Sequence, residues 1–340
     1  MGYIQKASAQ ESKRQRIDYI DLFRAFGIIM MIMGHVAFGN VFKKWIHVFH
    51  MPMFFIISGF FWKNQPLLSI LKKKARTLLI PYITFGILHL LIEFIRIGSV
   101  DTHAFYLLFW DNTAEGGIPI AGALWFLTAM FFSEVLFWCV QQLRKPVDLI
   151  VSIIIPVLGM ACDTYLPFRL PLAFDVGMVG VGFYKIGNSL RGKGIKLLDL
   201  NVLISLVGMI LFSILGFLNG YVNLRQGMYS IWPLFWINAV GMSICLWNLS
   251  RWIYGWLEKK LDKPIAWIKS IGRNSIIYLC LNQLMIMIAG HMVEQLFSYN
   301  GAAVLLVKKT VILIICFIEL YVVQQIITRT KLKALIGKWE

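Results

Sequence analysis

Charge is what this chain has least of. Asp, Glu, Lys and Arg make up 15% of its 340 residues, while 59% are hydrophobic and 14% aromatic, and the mean hydropathy is +0.71. That leaves too little polar surface to cover a water-soluble fold of this size, and the composition is that of an integral membrane protein. Acid is scarcer than base, 17 carboxylates against 33 basic side chains. The five cysteines, Cys139, Cys162, Cys245, Cys280 and Cys316, lie in or beside hydrophobic runs with no Cys-x-x-Cys and no paired spacing. Neither a disulfide framework nor a zinc site is expected from them, and no metal ligand set is proposed. Internal repeats, low-complexity tracts and a Gly-x-Ser-x-Gly elbow are also missing, so Ser58 and Gly59 read as helix-packing residues.

What the chain does have is apolar runs of about twenty residues, the length that crosses a bilayer. Ten such runs lie at about 18–38, 48–62, 77–97, 122–141, 148–163, 172–190, 198–219, 230–249, 274–296 and 302–327. The second and fifth are short. They predict an all-α integral membrane protein of about ten transmembrane helices with both termini cytoplasmic. In that orientation 24 of the 33 basic residues fall in inner loops and tails, as the positive-inside rule requires. The net charge of +16 then reflects the anionic inner leaflet and not nucleic acid. The expected organisation is a basic tail over 1–17, a transmembrane domain over 18–327 and a second basic tail over 328–340. The first span exceeds a signal-peptide core and is expected to stay uncleaved. The longest outer loop, Gly98 to Gly122, contains Asp101, His103, Asp111 and Glu115 without Lys or Arg; it reads as a solvated connector, with a lid or an acceptor-facing surface as the alternatives.

Ionisable groups at bilayer depth are costly and face a protein interior or a wet cavity. Arg24 and His35 stand eleven residues apart in FRAFGIIMMIMGHV, roughly three helical turns and about 16 Å along one face. Asp21 falls on the same stripe, three residues before Arg24, where it can pair with the guanidinium. Glu134 and Glu319 are carboxylates within spans and call for a partner such as Arg24 or Lys185, or a place on a proton path. His47 and His50 stand at the outer boundary before Pro52, and His50 is a candidate acceptor contact. Trp125 opens the fourth span, where an aromatic belt or a pocket wall is expected.

Four segments, RIDYIDLFRAFGIIMMIMGHV (16–36), HVFHMPMFFIISGFFW (47–62), KKKARTLLIPY (72–82) and ALWFLTAMFF (123–132), occur in this order. Together they resemble the membrane acyltransferase-3 family, with its Arg-x10-His, its H-x-P-x-F-F-x-x-S-G-F, its basic pair before Pro-Tyr and its W-F-L. SIGRNSIIYLCLNQ (270–283) is similar to the family's late element, extending the likeness over nearly the whole chain. The resemblance implies an enzyme of the bacterial cytoplasmic membrane that moves an acetyl or other short acyl group from acyl-CoA to a glycan hydroxyl. The flavour is that of the stand-alone branch resembling fucose O-acetylases and exopolysaccharide acetyltransferases. It implies acetyl-CoA, or another acyl-CoA, as donor substrate with no bound cofactor. The partners implied are the lipid bilayer and a cell-surface glycan or its precursor, and a homo-oligomer is left open. Lys73 and Arg76 fall on the family's basic pair, with Lys where Arg is usual. Asn282 falls where the family often has histidine; an amide can position a hydroxyl but cannot exchange a proton.

Acyl transfer from a thioester to a hydroxyl needs a base for the hydroxyl proton, and histidine has the intrinsic pKa for it. His35 is therefore the expected base, with Arg24 and Asp21 on its stripe. Arg24, Lys73 and Arg76 are expected to hold the anionic donor, and His50, Trp125, Glu134, Asn282 and Glu319 to line the acceptor side or the pocket. A transporter or flippase for a lipid-linked sugar would share the spans and the intramembrane charges but favours internal repeats or paired broken helices. A non-catalytic scaffold would have no need of the polar stripe.

Overall fold

A computed structural model describes residues 18–99, 102–113, 119–192, 194–258, 260–296 and 301–339. The proposed tail over 1–17, and Asp101 and Glu115 of the acidic loop, lie outside the described residues. Among the described residues regular structure is helical, apart from an isolated antiparallel bridge between Asn223 and Met228. The helices are α1 (Asp18–Val36), α2 (Asn40–His47), α3 (Pro52–Phe61) and α4 (Leu67–Lys74), which runs through a π turn (Ala75–Leu79) into α5 (Ile80–Ile97). They continue with α6 (Thr102–Phe109), α7 (Trp125–Gln141), α8 (Val147–Tyr165), α9 (Phe174–Arg191) and α10 (Val202–Asn219). The last are α11 (Trp232–Leu257), α12 (Asp262–Arg273), α13 (Ser275–Leu296) and α14 (Ala302–Arg329), followed by a 3-10 turn (Lys331–Ile336).

Six helical segments are long and apolar enough to cross a membrane: Asp18–Val36, Leu67–Ile97, Pro119–Gln141, Val147–Tyr165, Val202–Asn219 and Ser275–Gln295. The chain is thus a multi-pass membrane protein. The expected runs at 48–62, 172–190, 230–249 and 302–327 coincide with α3, α9, α11 and α14. At ten residues, α3 spans only about 15 Å, half the hydrocarbon thickness. It is short because it runs inside protein: all but two of its residues are buried, so its non-helical ends can be satisfied by protein and not by lipid.

Helix α9 packs against α3, α7 and α8. Its crossing with α3 is backbone on backbone, since a Cβ on Gly187 would overlap the Ile56 carbonyl and one on Gly59 would overlap the backbone of Tyr184. This is the small-residue packing that replaces hydrophobic burial between helices in lipid. Helix α1 packs against α11, α12, α13 and α14. The amphipathic α2 leans on α10, where Lys44 Nζ donates to the Phe217 carbonyl (2.9 Å) and Trp45 Nε1 to Ser213 Oγ (2.7 Å). Residues of α1, α7 and α13, with α3 and the turn before it, line two cavities: one at the Arg24 end of α1, called the inner cavity for short, and one at the His35 end, called the outer cavity.

Candidate active site

The inner cavity, about 380 Å³, carries four cations on its wall, Arg24, Lys74, Arg273 and Lys338, and no carboxylate among its described lining residues. The acids stand behind that wall. Asp21 is buried, with Arg24 Nη1 at 3.9 Å and Arg273 Nε at 2.9 Å. Asp18 takes Lys269 Nζ at 2.7 Å and Arg273 Nη2 at 3.7 Å. The pair expected from spacing therefore exists, but the closer cation to Asp21 comes from α12. Lys74 reaches Glu134 at 2.9 Å. Three of the four cations, Arg24, Lys74 and Arg273, are thus partly neutralised and held in place by acids, and with Lys338 they form a positive surface suited to phosphate.

The outer cavity, about 310 Å³, is lined by His35, His47, His50, Trp125 and Gln283, and by residues 223–226 of the loop between α10 and α11. His35 is exposed to it, and the Gln283 amide nitrogen lies 3.3 Å from His35 Nδ1. His50 is buried and its Nδ1–H donates to the Ile46 carbonyl at 2.7 Å, which leaves Nε2 as the unprotonated nitrogen of the neutral ring. His47, at the end of α2, has Nδ1 3.2 Å from the Val222 carbonyl and 3.2 Å from the Tyr221 hydroxyl. Burial and then the charge of Lys43 push its pKa down to about 4, so it is neutral at pH 7.

The loop over this cavity is pinned by a buried ion cluster. Arg169 donates to Asp175 Oδ2 at 2.7 Å and to the Arg225 carbonyl at 3.0 Å, and meets Asp163 Oδ1 at 3.1 Å. Tyr229 donates to Asp163, and burial together with that carboxylate pushes the phenol well above its usual range. Arg225 Nε in turn donates to the Thr113 carbonyl at 3.2 Å. The acidic loop expected as connector or lid is anchored here: Asn112 is buried and donates to Tyr82 Oη (3.2 Å) and Thr128 Oγ1 (3.0 Å).

On α1 the two cavities nearly meet, with Ile28 lining the inner one and Met31 the outer, a rise of about 4.5 Å. Arg24 and His35 thus open onto different cavities of one helix face. Trp125 and His50 join His35. Asn282 does not: it is buried, donates to the Leu279 carbonyl at 2.6 Å and lines neither cavity. The next residue, Gln283, faces the histidine. Lys73 is exposed and off the inner wall, where Lys74 stands. Arg76 donates to the carbonyls of Gly337 (2.5 Å) and Trp339 (3.5 Å), holding the C-terminal turn whose Ile336 and Lys338 line the inner cavity. Glu134 pairs with Lys74 and not with Arg24 or Lys185, whose partner is Asp148 at 2.6 Å. Glu319 Oε2 is buried with no hydrogen-bond partner, and Glu319 lines neither cavity. Gln283 was within the quoted late motif; Asn223 and Arg225 carried no signal beyond being polar loop residues. No group of three His, Cys, Asp or Glu able to hold a metal occurs among the described residues.

A cationic cavity behind a histidine-lined one has the parts for group transfer between an anionic donor and a neutral nucleophile. The family model described as an acyltransferase domain, that of the acyltransferase-3 family, matches residues 17–320. Comparison with curated proteins and with solved structures yields no match.

Proposed function

The chain belongs to the acyltransferase-3 family, and from that premise we propose that it moves an acetyl or other short acyl group from acyl-CoA to a hydroxyl of a cell-surface glycan or its precursor. The setting is the bacterial cytoplasmic membrane, with ten crossings and both tails in the cytoplasm, and the branch is that of stand-alone sugar O-acetyltransferases. The observation that carries this reading is the thin partition on α1. Donor phosphates on Arg24, Lys74, Arg273 and Lys338 would leave an extended thioester arm about 16 Å to cover before reaching His35, which is the length of helix between Arg24 and His35. The acceptor hydroxyl then attacks the thioester carbonyl while His35 takes its proton. The new C–O bond forms, the C–S bond breaks, and the imidazolium returns the proton to the leaving thiolate.

A positioned base contributes roughly 10²- to 10⁴-fold, so His35→Ala should lower kcat by that factor, whereas Arg24→Ala should chiefly raise the donor KM. The assay is release of free thiol from acetyl-CoA by protein in nanodiscs with a panel of glycans, with the acylated product identified by mass. Undiminished transfer by His35→Ala would remove the base assignment. Glycan movement across vesicles without any thioester cleavage would point to a transporter.

A further inference from the structure

We propose that the Gln283 amide is the positioning group of His35, its carbonyl oxygen accepting the Nδ1–H and so reserving the Nε2 lone pair for the acceptor's proton. The proposal rests on His35 acting as the base. Gln283 comes from α13 and His35 from the end of α1, and both line the outer cavity. With the amide nitrogen toward the ring, at 3.3 Å, Nδ1 must accept, and the ring proton of a neutral imidazole then sits on Nε2. Held that way, the ring has no lone pair on Nε2 to offer, and Gln283 Oε1 is left buried with no hydrogen-bond partner. A buried carbonyl without a donor is unfavourable. An amide presents oxygen and nitrogen in nearly interchangeable positions. Turned over, the same side chain gives Oε1 a donor, the Nδ1–H, and makes His35 Nε2 the free nitrogen, with the amide NH2 in the place Oε1 held; either orientation leaves one end of the amide buried without a partner, and the base role of His35 selects the second. The arrangement then matches that of His50, whose Nδ1–H is committed to the Ile46 carbonyl.

The seat for this amide is built by Gly122. A Cβ at that position would lie 2.9 Å from both Oε1 and Nε2 of Gln283, so no larger residue leaves the amide where it is. Asn282 cannot substitute, because it lines neither cavity and its amide is turned back to the Leu279 carbonyl of its own helix. The logic is that of a base oriented by a third group, with a neutral amide in the orienting place.

The ring tautomer can be read without turnover. Protein carrying 15N-labelled histidine is placed in nanodiscs, and the His35 signals are assigned by their loss in His35→Gln. The expected result is a pyrrole-type shift at Nδ1 and a pyridine-type shift at Nε2. In Gln283→Met, which keeps the length and removes the amide, the protonated nitrogen should change to Nε2, with kcat for thiol release falling at least about 10-fold at unchanged donor KM. Gln283→Glu keeps an acceptor at Nδ1 and should retain kcat within about 3-fold of wild type. A wild-type ring protonated on Nε2, or an unchanged kcat in Gln283→Met, overturns the proposal. If His35→Gln is inactive while Gln283→Met is fully active, this inference alone falls; if His35→Gln is fully active, the base assignment falls with it.

Discussion

Replacing Arg169 by Met should be among the most damaging single substitutions outside the two cavities. Its guanidinium has 17% side-chain exposure, against 0% for Asp163 and 1% for Asp175, so its removal strands two carboxylates away from water. Each contact near 3 Å is worth about 5 kcal/mol of Coulomb attraction at an effective dielectric of 20. Repulsion between the acids and the cost of burying the cluster offset most of that sum. Breaking a buried pair by removing one partner costs about 3–5 kcal/mol net, and Arg169→Met should lose that much in denaturant unfolding followed by fluorescence of the tryptophans. The triple variant Arg169→Met, Asp163→Asn, Asp175→Asn removes every charge of the cluster and should recover most of the loss, because an uncharged cluster has no desolvation cost to offset. Arg169 also holds the Arg225 carbonyl, so the single variant should raise the acceptor KM and leave the donor KM alone. A loss under about 1 kcal/mol, or a triple variant no more stable than the single, would refute the argument.

Two further outcomes follow from the inner cavity and a third from the proposed topology. Lys74→Met leaves Glu134 buried with no cation and should destabilise by about 3 kcal/mol, with Lys74→Met, Glu134→Gln restoring most of it in the same unfolding assay. Arg76→Ala releases the Gly337 and Trp339 carbonyls and should raise the donor KM several-fold through Lys338, with faster proteolysis of the last residues and little change in unfolding midpoint. Cysteines introduced as Asp111→Cys and Lys73→Cys should react with an impermeant maleimide from opposite sides of sealed vesicles, and labelling from one side would remove a crossing from the proposed ten.

The stripe of Asp21, Arg24 and His35 was legible in the sequence because helical periodicity is local: three residues on one helix share a face whatever packs against them. Partners are set by other elements, and there the sequence was silent or misleading. Glu134 could have met any cation at its depth, and only the π turn that carries α4 into α5 beside α7 brings Lys74 to it. Motif alignment put Asn282 where the family often has histidine, yet one residue on a helix is about 100° of rotation. That rotation turns Asn282 back to its own helix and sends Gln283 to His35. The loop bearing Asn223 and Arg225 had no periodicity to read. Its position over the cavity follows from Arg169, 56 residues away along the chain from the carbonyl it holds.

The same contrast explains why the partition between the cavities escaped a reading by spans. Counting apolar residues treats α3 as a weak crossing, because ten residues cannot reach across a bilayer. Yet α3 and the turn before it line both cavities, with His50 and Met51 on the outer wall and Ile57 and Ser58 on the inner. Its shortness and its burial have one cause. Wedged against α9 at Gly59 and Gly187, it has eight of its ten residues buried, and irregular backbone beside it is tolerated where protein, not hydrocarbon, surrounds it. A longer lipid-facing helix there could not keep two polar cavities within a turn of one another, so the segment that least resembles a membrane span is the one that brings them together.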